Sequence, residues 1–301
     1  MRRRIKITVI AAAAALAAAV CAWLLWPRLE RPARRALPIA AERPAIAAQF
    51  NDKNFFLTAI KQSTSTPLAQ RVTGIVVPHH LLARDVIADV FLAASGGDYQ
   101  RVVVISPDHF QLGASPISFA AQDFNTPFGR LATDQDFIDQ LAALPQAQAA
   151  DFFYREHGIG AELPFVKYFF PNAKITAIAL SIHAQPRDLG GLIELLKNIA
   201  GPKTLIVQST DFSHYLTAGQ ADIKDAQTTA VLKKIDQGAN LSEIYQLTEP
   251  DNLDCLACQY VQSSVQASLN SRLHIVDYKN SQDYTADKVS QTTSYIPQVY
   301  Y

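Results

Sequence analysis

Cysteine is scarce in this chain: 301 residues contain Cys21, Cys255 and Cys258 and no others. The single C-x-x-C, Cys255-Leu256-Ala257-Cys258, has no second copy, which excludes a zinc site of four cysteines within one chain. Charge of one sign is also lacking. Lys and Arg number 27, Asp and Glu number 27, and the formal net charge is zero. Beyond the first 35 residues there is no basic tract, so the electrostatic footprint of a nucleic-acid-binding surface is missing and that class of partner is dropped. No internal repeat is present. What remains is 49% hydrophobic and 18% charged, an ordinary globular composition with enough chain for one large core.

The amino terminus is a separate object. Arg2-Arg3-Arg4-Ile5-Lys6 is followed by an uncharged, alanine-rich segment from Ile7 to Trp26. At 1.5 Å per residue, twenty helical residues span about 30 Å, the thickness of a bilayer's hydrocarbon core. A cleaved signal peptide is the alternative, but its apolar region usually runs about 7 to 15 residues. The expectation is therefore a single-pass transmembrane anchor over residues 1–27, with the membrane as a partner and the folded part outside the cytoplasmic membrane. Pro32, Pro38 and Pro44 among alanine and arginine suit an extended linker over 28–49, and the domain is expected over 50–301.

Within that domain, strand candidates at Gly74–Val77, Val102–Ser106, Ile175–Leu180 and Thr204–Gln208 alternate with helical patterns. Arg84–Ala94 carries Val86, Ile87, Val90, Phe91 and Ala94 at the spacing of an amphipathic helix; Leu189–Ile199 and Asp222–Ile235 read likewise. Alternation of strand and helix predicts a single α/β domain, a mainly parallel sheet with helices on both faces. His274–Tyr278 and Ser294–Val299 are expected as later strands at an antiparallel edge.

Three hydrophobic runs end in a histidine. Val76-Val77-Pro78-His79, Val102 to His109 through Pro107-Asp108, and Thr204 to His214 through Asp211-Phe212-Ser213 share this form. Strands buried on both faces deliver side chains at their carboxyl ends. One histidine after a strand is often only a loop residue, but imidazole is the commonest metal ligand and a general base near neutrality, so three point to chemistry. His79 and His109 are expected on adjacent parallel strands, binding one ion. Glu156-His157 opens a further helix candidate; the two residues orient a substrate or a metal ligand, or the acid serves as the helix's N-terminal cap.

Together, Pro78-His79, Pro107-Asp108-His109, Thr126-Pro127-Phe128-Gly129, Glu156-His157-x-Ile159-x-x-x-Leu163-Pro164-Phe165, Thr210-Asp211-Phe212-Ser213-His214-Tyr215 and a late cysteine resemble the Memo family, the B component of the AmmeMemoRadiSam gene group. The resemblance runs from about Gly74 to Ala267. It implies a fold similar to the class III extradiol ring-cleaving dioxygenases, which hold non-haem Fe(II) with two histidines and a carboxylate, whereas Memo proteins place a cysteine where that carboxylate would be. It implies His79 and His109 as imidazole ligands, Cys255 as the third ligand, and Asp211 and His214 at the pocket wall, with His214 the general base and Asp211 orienting it. The chain departs from the family at His80-Leu81-Leu82-Ala83 and after Cys255, where Leu256-Ala257-Cys258 stands in place of glycine and then proline. If Cys255 and Cys258 pair, the sulfur is no thiolate ligand.

Two imidazoles and one anionic donor leave open positions on Fe(II) for a bidentate substrate and dioxygen, while a thiolate shifts preference toward copper or zinc. The leading expectation is a metal-dependent oxidoreductase with iron or copper acting on a small molecule. A non-catalytic metal-binding or peptide-docking protein and a zinc-type hydrolase are the alternatives.

Overall fold

Alternation along one strand shows how the core is divided. In Arg101–Pro107, Val102 and Val104 point into a cluster with Phe91 and Phe165, while Val103 and Ile105 point into another with Leu189, Leu192 and Val261. Successive side chains of a strand face opposite sides, so a run of β-branched residues with no polar member needs helices over both faces.

The computed structural model describes residues 44–285 and 291–301. Its main sheet comprises β1 (Gly74–Val77), β2 (Arg101–Pro107), β3 (Ile117–Phe119), β4 (Ala147–Ala149), β5 (Lys174–Leu180), β6 (Thr204–Ser209), β7 (Leu273–Ile275) and β8 (Gln298–Tyr300). The spatial order is β4-β3-β5-β2-β6-β1-β8-β7. The central pairs β5/β2, β2/β6 and β6/β1 are parallel. At one side β8 pairs antiparallel with both β1 and β7, the edge expected from the sequence, although Ser294–Tyr295 pairs instead with Lys279–Asn280 in a separate ribbon. On the other side β3 runs antiparallel to β5. Strands of three residues, such as β3 and β4, carry too little period to be read from sequence.

Seven helices matter for the site: α1 (Lys53–Gln62), α2 (Arg84–Ala94), α3 (His157–Gly160), α4 (Leu163–Phe169), α5 (Pro186–Ile199), α6 (Ala218–Asp236) and α7 (Leu256–Ser268). Side chains of α1, α2 and α4 fill the first cluster, and those of α5 and α7 fill the second. Helix α6 departs from the apolar stripe expected of it. Its buried residues are Ala221, Asp225, Thr228 and Leu232, and the polar pair is satisfied by neighbours: Ser213 and Ser294 hydroxyls donate to Asp225 Oδ1 at 2.7 and 2.8 Å, and Asn252 Nδ2 donates to Thr228 Oγ1 at 3.0 Å. Burial of such groups is tolerated because each is paired.

The anchor expected at Ile7–Trp26 lies outside the described residues, as does the linker up to residue 43. Among the described residues no helix is long and apolar enough to cross a membrane. The expected membrane-anchored, extracytoplasmic placement is corrected to that extent: the described part of the chain contains no spanning helix. Packing begins ahead of Phe50: buried Ile46 donates its N–H to Asp123 O at 2.7 Å and accepts from Asn125 N at 2.8 Å.

Candidate metal centre

His79, His109 and Asp211 each stand two residues beyond the end of a strand, β1, β2 and β6 respectively. Those strands are parallel and consecutive in the sheet, so their carboxyl ends deliver all three side chains to one edge. One expectation is corrected here. β1 and β2 are not neighbours; β6 lies between them, and its last residue, Ser209, becomes a partner of His79.

The hydrogen bonds fix which ring nitrogens carry protons. His109 Nδ1 lies 2.6 Å from Glu156 Oε1. An ionised carboxylate only accepts, so Nδ1 carries a hydrogen and Nε2 is the nitrogen whose lone pair a metal ion can take in place of a proton. His79 Nδ1 lies 3.1 Å from Ser209 Oγ, whose own proton goes to Gly158 O at 2.5 Å. The serine therefore accepts from His79 Nδ1, and Nε2 of this ring is placed likewise. These two nitrogens face each other at 3.1 Å. Two acceptors at that distance repel unless something electropositive, a proton or a metal ion, lies between them. Metal–nitrogen bonds of about 2.0–2.1 Å place two neighbouring donors of one ion about 3.0–3.4 Å apart, so the residues fit a metal.

The surroundings favour positive charge. Asp254 Oδ2 is 3.1 Å from His79 Nε2 and 3.7 Å from His109 Nε2, and Asp211 Oδ2 is 3.6 Å from His79 Nε2. Burial alone would lower the pKa of His109, but Asp254 and Glu156 outweigh it and raise the group to about 10. His79 is raised as well, with burial opposed by Asp211 and Asp254. Burial opposes ionisation of Asp254, yet the charge of His79 and the bonds from both histidines hold its pKa well below the carboxylate range. The carboxylates thus favour positive charge between the two Nε2 atoms, carried by a proton or by a metal ion that replaces it.

Glu156 fills both roles that its sequence position allowed. It caps α3, accepting from Gly158 N at 3.0 Å, and it grips His109 through ring and backbone, Oε2 accepting from His109 N at 3.1 Å. A carboxylate behind an imidazole fixes the ring and makes it a stronger donor. His157, absent from the expected ligand set, joins His79 and His109 in a group with the geometry to hold a metal ion, one nitrogen from each lying within 4.8 Å of the others. Its ring lies against His109 with centroids 3.9 Å apart, and burial together with the charge of His109 and His79 lowers its pKa to about 4. The Glu-His dipeptide was the available signal, but which histidine it approached depended on a contact across 47 residues.

Asp211 does not orient His214. Its Oδ1 accepts from the backbone N–H of His79 at 3.1 Å and of His80 at 3.5 Å, so it holds the turn after β1. Nor does it cap a helix at Phe212, since α6 begins at Ala218. The His214 ring donates from Nδ1 to Phe212 O, and it lies near enough to Asp254 and His80 to act on both electrostatically, at the flank of the cluster. Cys255 is not brought there as a thiolate. It is joined in a disulfide to Cys258 and packs in the core cluster with Val103, Ile105 and Ile206, because it caps the first turn of α7 and the residue three positions on lies directly above it.

Glu249 supports the same segment, accepting from Leu256 N at 2.6 Å at the start of α7. Burial, aided by the charge of Asp254, raises its pKa to about 7. Between the unfolded value near 4.5 and about 7 the folded state holds the extra proton, so stability falls as pH rises through that window and levels off above it. Glu249→Gln should flatten this decline in melting temperature between pH 4.5 and 7.5; an unchanged slope would assign the decline to other groups.

A model of the family described as Memo-like protein matches residues 47–298. Relatives include a MEMO1 family protein of Methanosarcina acetivorans, 26% identical over 260 residues that cover 81% of this chain and 94% of the relative. Another, from Methanosarcina mazei, is 28% identical over 230 residues, covering 73% and 82%. A third, from Pyrobaculum arsenaticum, is 25% identical over 224 residues, covering 72% and 79%. Among solved structures, an uncharacterised protein of Escherichia coli K12 superposes with a TM-score of 0.46 at 9% identity, over 75% of this chain and 99% of that one.

Proposed function

The chain belongs to the Memo-like protein family, and from that premise we propose a metal-dependent oxidoreductase that holds one Fe(II) ion between His79 and His109 and acts on a small molecule. The observation that carries this reading is the pair of Nε2 atoms facing at 3.1 Å, each belonging to a ring whose Nδ1 is already committed to a partner. Bound Fe(II) would supply one-electron chemistry and open positions for a chelating substrate and dioxygen. The chain's own residues do the rest. Glu156 and Ser209 hold the two rings in their donor tautomers, Asp211 fixes the backbone that carries His79, and His214 stands at the flank as proton acceptor. Phe110, 42% exposed and 5.9 Å from the His157 ring, offers an apolar rim on which an aromatic ring can rest.

The test is a titration of the full chain with Fe(II) in the absence of oxygen, followed by oxygen uptake on adding a panel of catechols. One equivalent should bind, and at least one catechol should start uptake. Failure to bind near one equivalent would remove the metal site; binding with no uptake across the panel would remove the oxidoreductase and leave a metal-holding protein.

A further inference from the structure

We propose that the third protein donor of this site is the carboxylate of Asp254 and not the sulfur of Cys255; the inference rests on His79 and His109 being ligands. Four observations place it there. Asp254 Oδ2 is 3.1 Å from one donor nitrogen and 3.7 Å from the other, so the three atoms form a compact triangle of the size that bonds of about 2.0–2.2 Å to one ion require. The other oxygen of this carboxylate, Asp254 Oδ1, is buried and has no hydrogen-bond partner among the described residues, so the surrounding protein does not fully satisfy the carboxylate. The main chain clamps this residue in place: Asp254 N donates to Asp211 O at 3.1 Å, Asp211 N donates to Asp254 Oδ2 at 3.2 Å, and Phe212 and Leu253 form an antiparallel bridge beside them. The neighbouring Cys255 has its sulfur committed to Cys258, and a disulfide sulfur does not bind metal as a thiolate does.

His157 is the competing third donor, and its posture argues for a different place. It lies tilted by 36° over the face of His109, and its side chain is 36% exposed, which sets it on the open side where a ligand approaches. Two imidazoles with one carboxylate form a donor set that leaves positions open and suits Fe(II). A thiolate in the third position would instead draw copper or zinc. The ion held by Asp254 is thus indifferent to the redox state of the cysteine pair.

The experiment uses the full chain loaded with Co(II), whose spectrum shows an intense near-ultraviolet sulfur-to-metal charge-transfer band when a thiolate binds and lacks it when a carboxylate does. No such band is expected, with or without a phosphine reductant that opens the disulfide. Asp254→Asn should weaken Co(II) binding by more than the roughly 10–100-fold that loss of an outer partner costs, while the double variant Cys255→Ser, Cys258→Ser should leave it unchanged. His79→Ala serves as the reference and should lose the ion. If His79→Ala loses the ion but Asp254→Asn binds as the parent does, the Asp254 assignment alone is overturned; a charge-transfer band in the parent overturns it in favour of Cys255. Retention of Co(II) by His79→Ala as well would overturn the underlying site. Should Asp254→Asn unfold the chain, His157→Ala separates the two remaining donors: unchanged Co(II) binding supports Asp254, and loss of the ion overturns it in favour of His157.

Discussion

His109→Ala is expected to abolish stoichiometric metal binding while leaving the fold intact. The substitution removes one of the three proposed donors, and the two that remain, His79 Nε2 and Asp254 Oδ2, hold a divalent ion too weakly against water for it to stay stoichiometric. The carboxylate behind the lost ring is not stranded. Glu156 keeps Gly158 N at 3.0 Å and the backbone N–H of residue 109 at 3.1 Å, so its burial stays compensated. The turn after β2 also stays tied, because Asp108 Oδ1 and Oδ2 accept from Leu112 N at 3.1 Å and Gly113 N at 2.6 Å. Metal content after equilibrium dialysis, with near-ultraviolet circular dichroism as the check on folding, measures both halves. Glu156→Gln grades the result: an amide in place of the carboxylate keeps the cap but weakens the hold on His109 Nδ1, and should cost about 10–100-fold in affinity. Full metal occupancy in His109→Ala would mean that the facing imidazoles are a hydrogen-bonded pair and nothing more.

Phe165→Ala should give the largest loss of stability, about 3–5 kcal/mol from burial and the cavity left behind. The ring is fully buried, with its centroid 5.4 Å from Phe56 at 82° and 5.7 Å from Phe91 at 14°. It thereby ties α4 to α1 and α2 over one face of the sheet. None of these neighbours can fill the space without giving up its own edge or stacking contact. Urea denaturation followed by circular dichroism would read the change, and a loss below about 1 kcal/mol, the scale of a surface change, would show that the three helices repack around the gap. The residue sits in the same short motif as Glu156 and His157, so one stretch of sequence serves both the site and the core that backs it.

Much of this was legible before any fold was in hand. The runs at Val76-Val77, Val102–Ile105 and Leu205–Val207 are apolar at every position, which only strands covered on both faces permit, and each leads within a few residues to a polar side chain at the carboxyl edge. The ends of the chain's weaker elements were not legible. Strands β3 and β4 are three residues long, too short for a hydrophobic period to mark them, and the helix expected at Asp222–Ile235 was legible as α6 while its polar buried face was not.

The sequence by itself determined that His79 and His109 would arrive at one edge of a parallel sheet, because local β propensity and the crossover rule leave a βαβ chain no other arrangement. Only the tertiary structure decided what surrounds the two imidazoles. Which strand lies between β1 and β2, which carboxylate stands behind His109, and which of the successive residues Asp254 and Cys255 turns toward the histidines depend on contacts spanning 47 residues for Glu156 and His109 and 43 for Asp211 and Asp254. Adjacent side chains in an irregular segment have no fixed period, so a shift of one position exchanges an oxygen donor for a buried disulfide, and nothing short of the packed chain settles that choice.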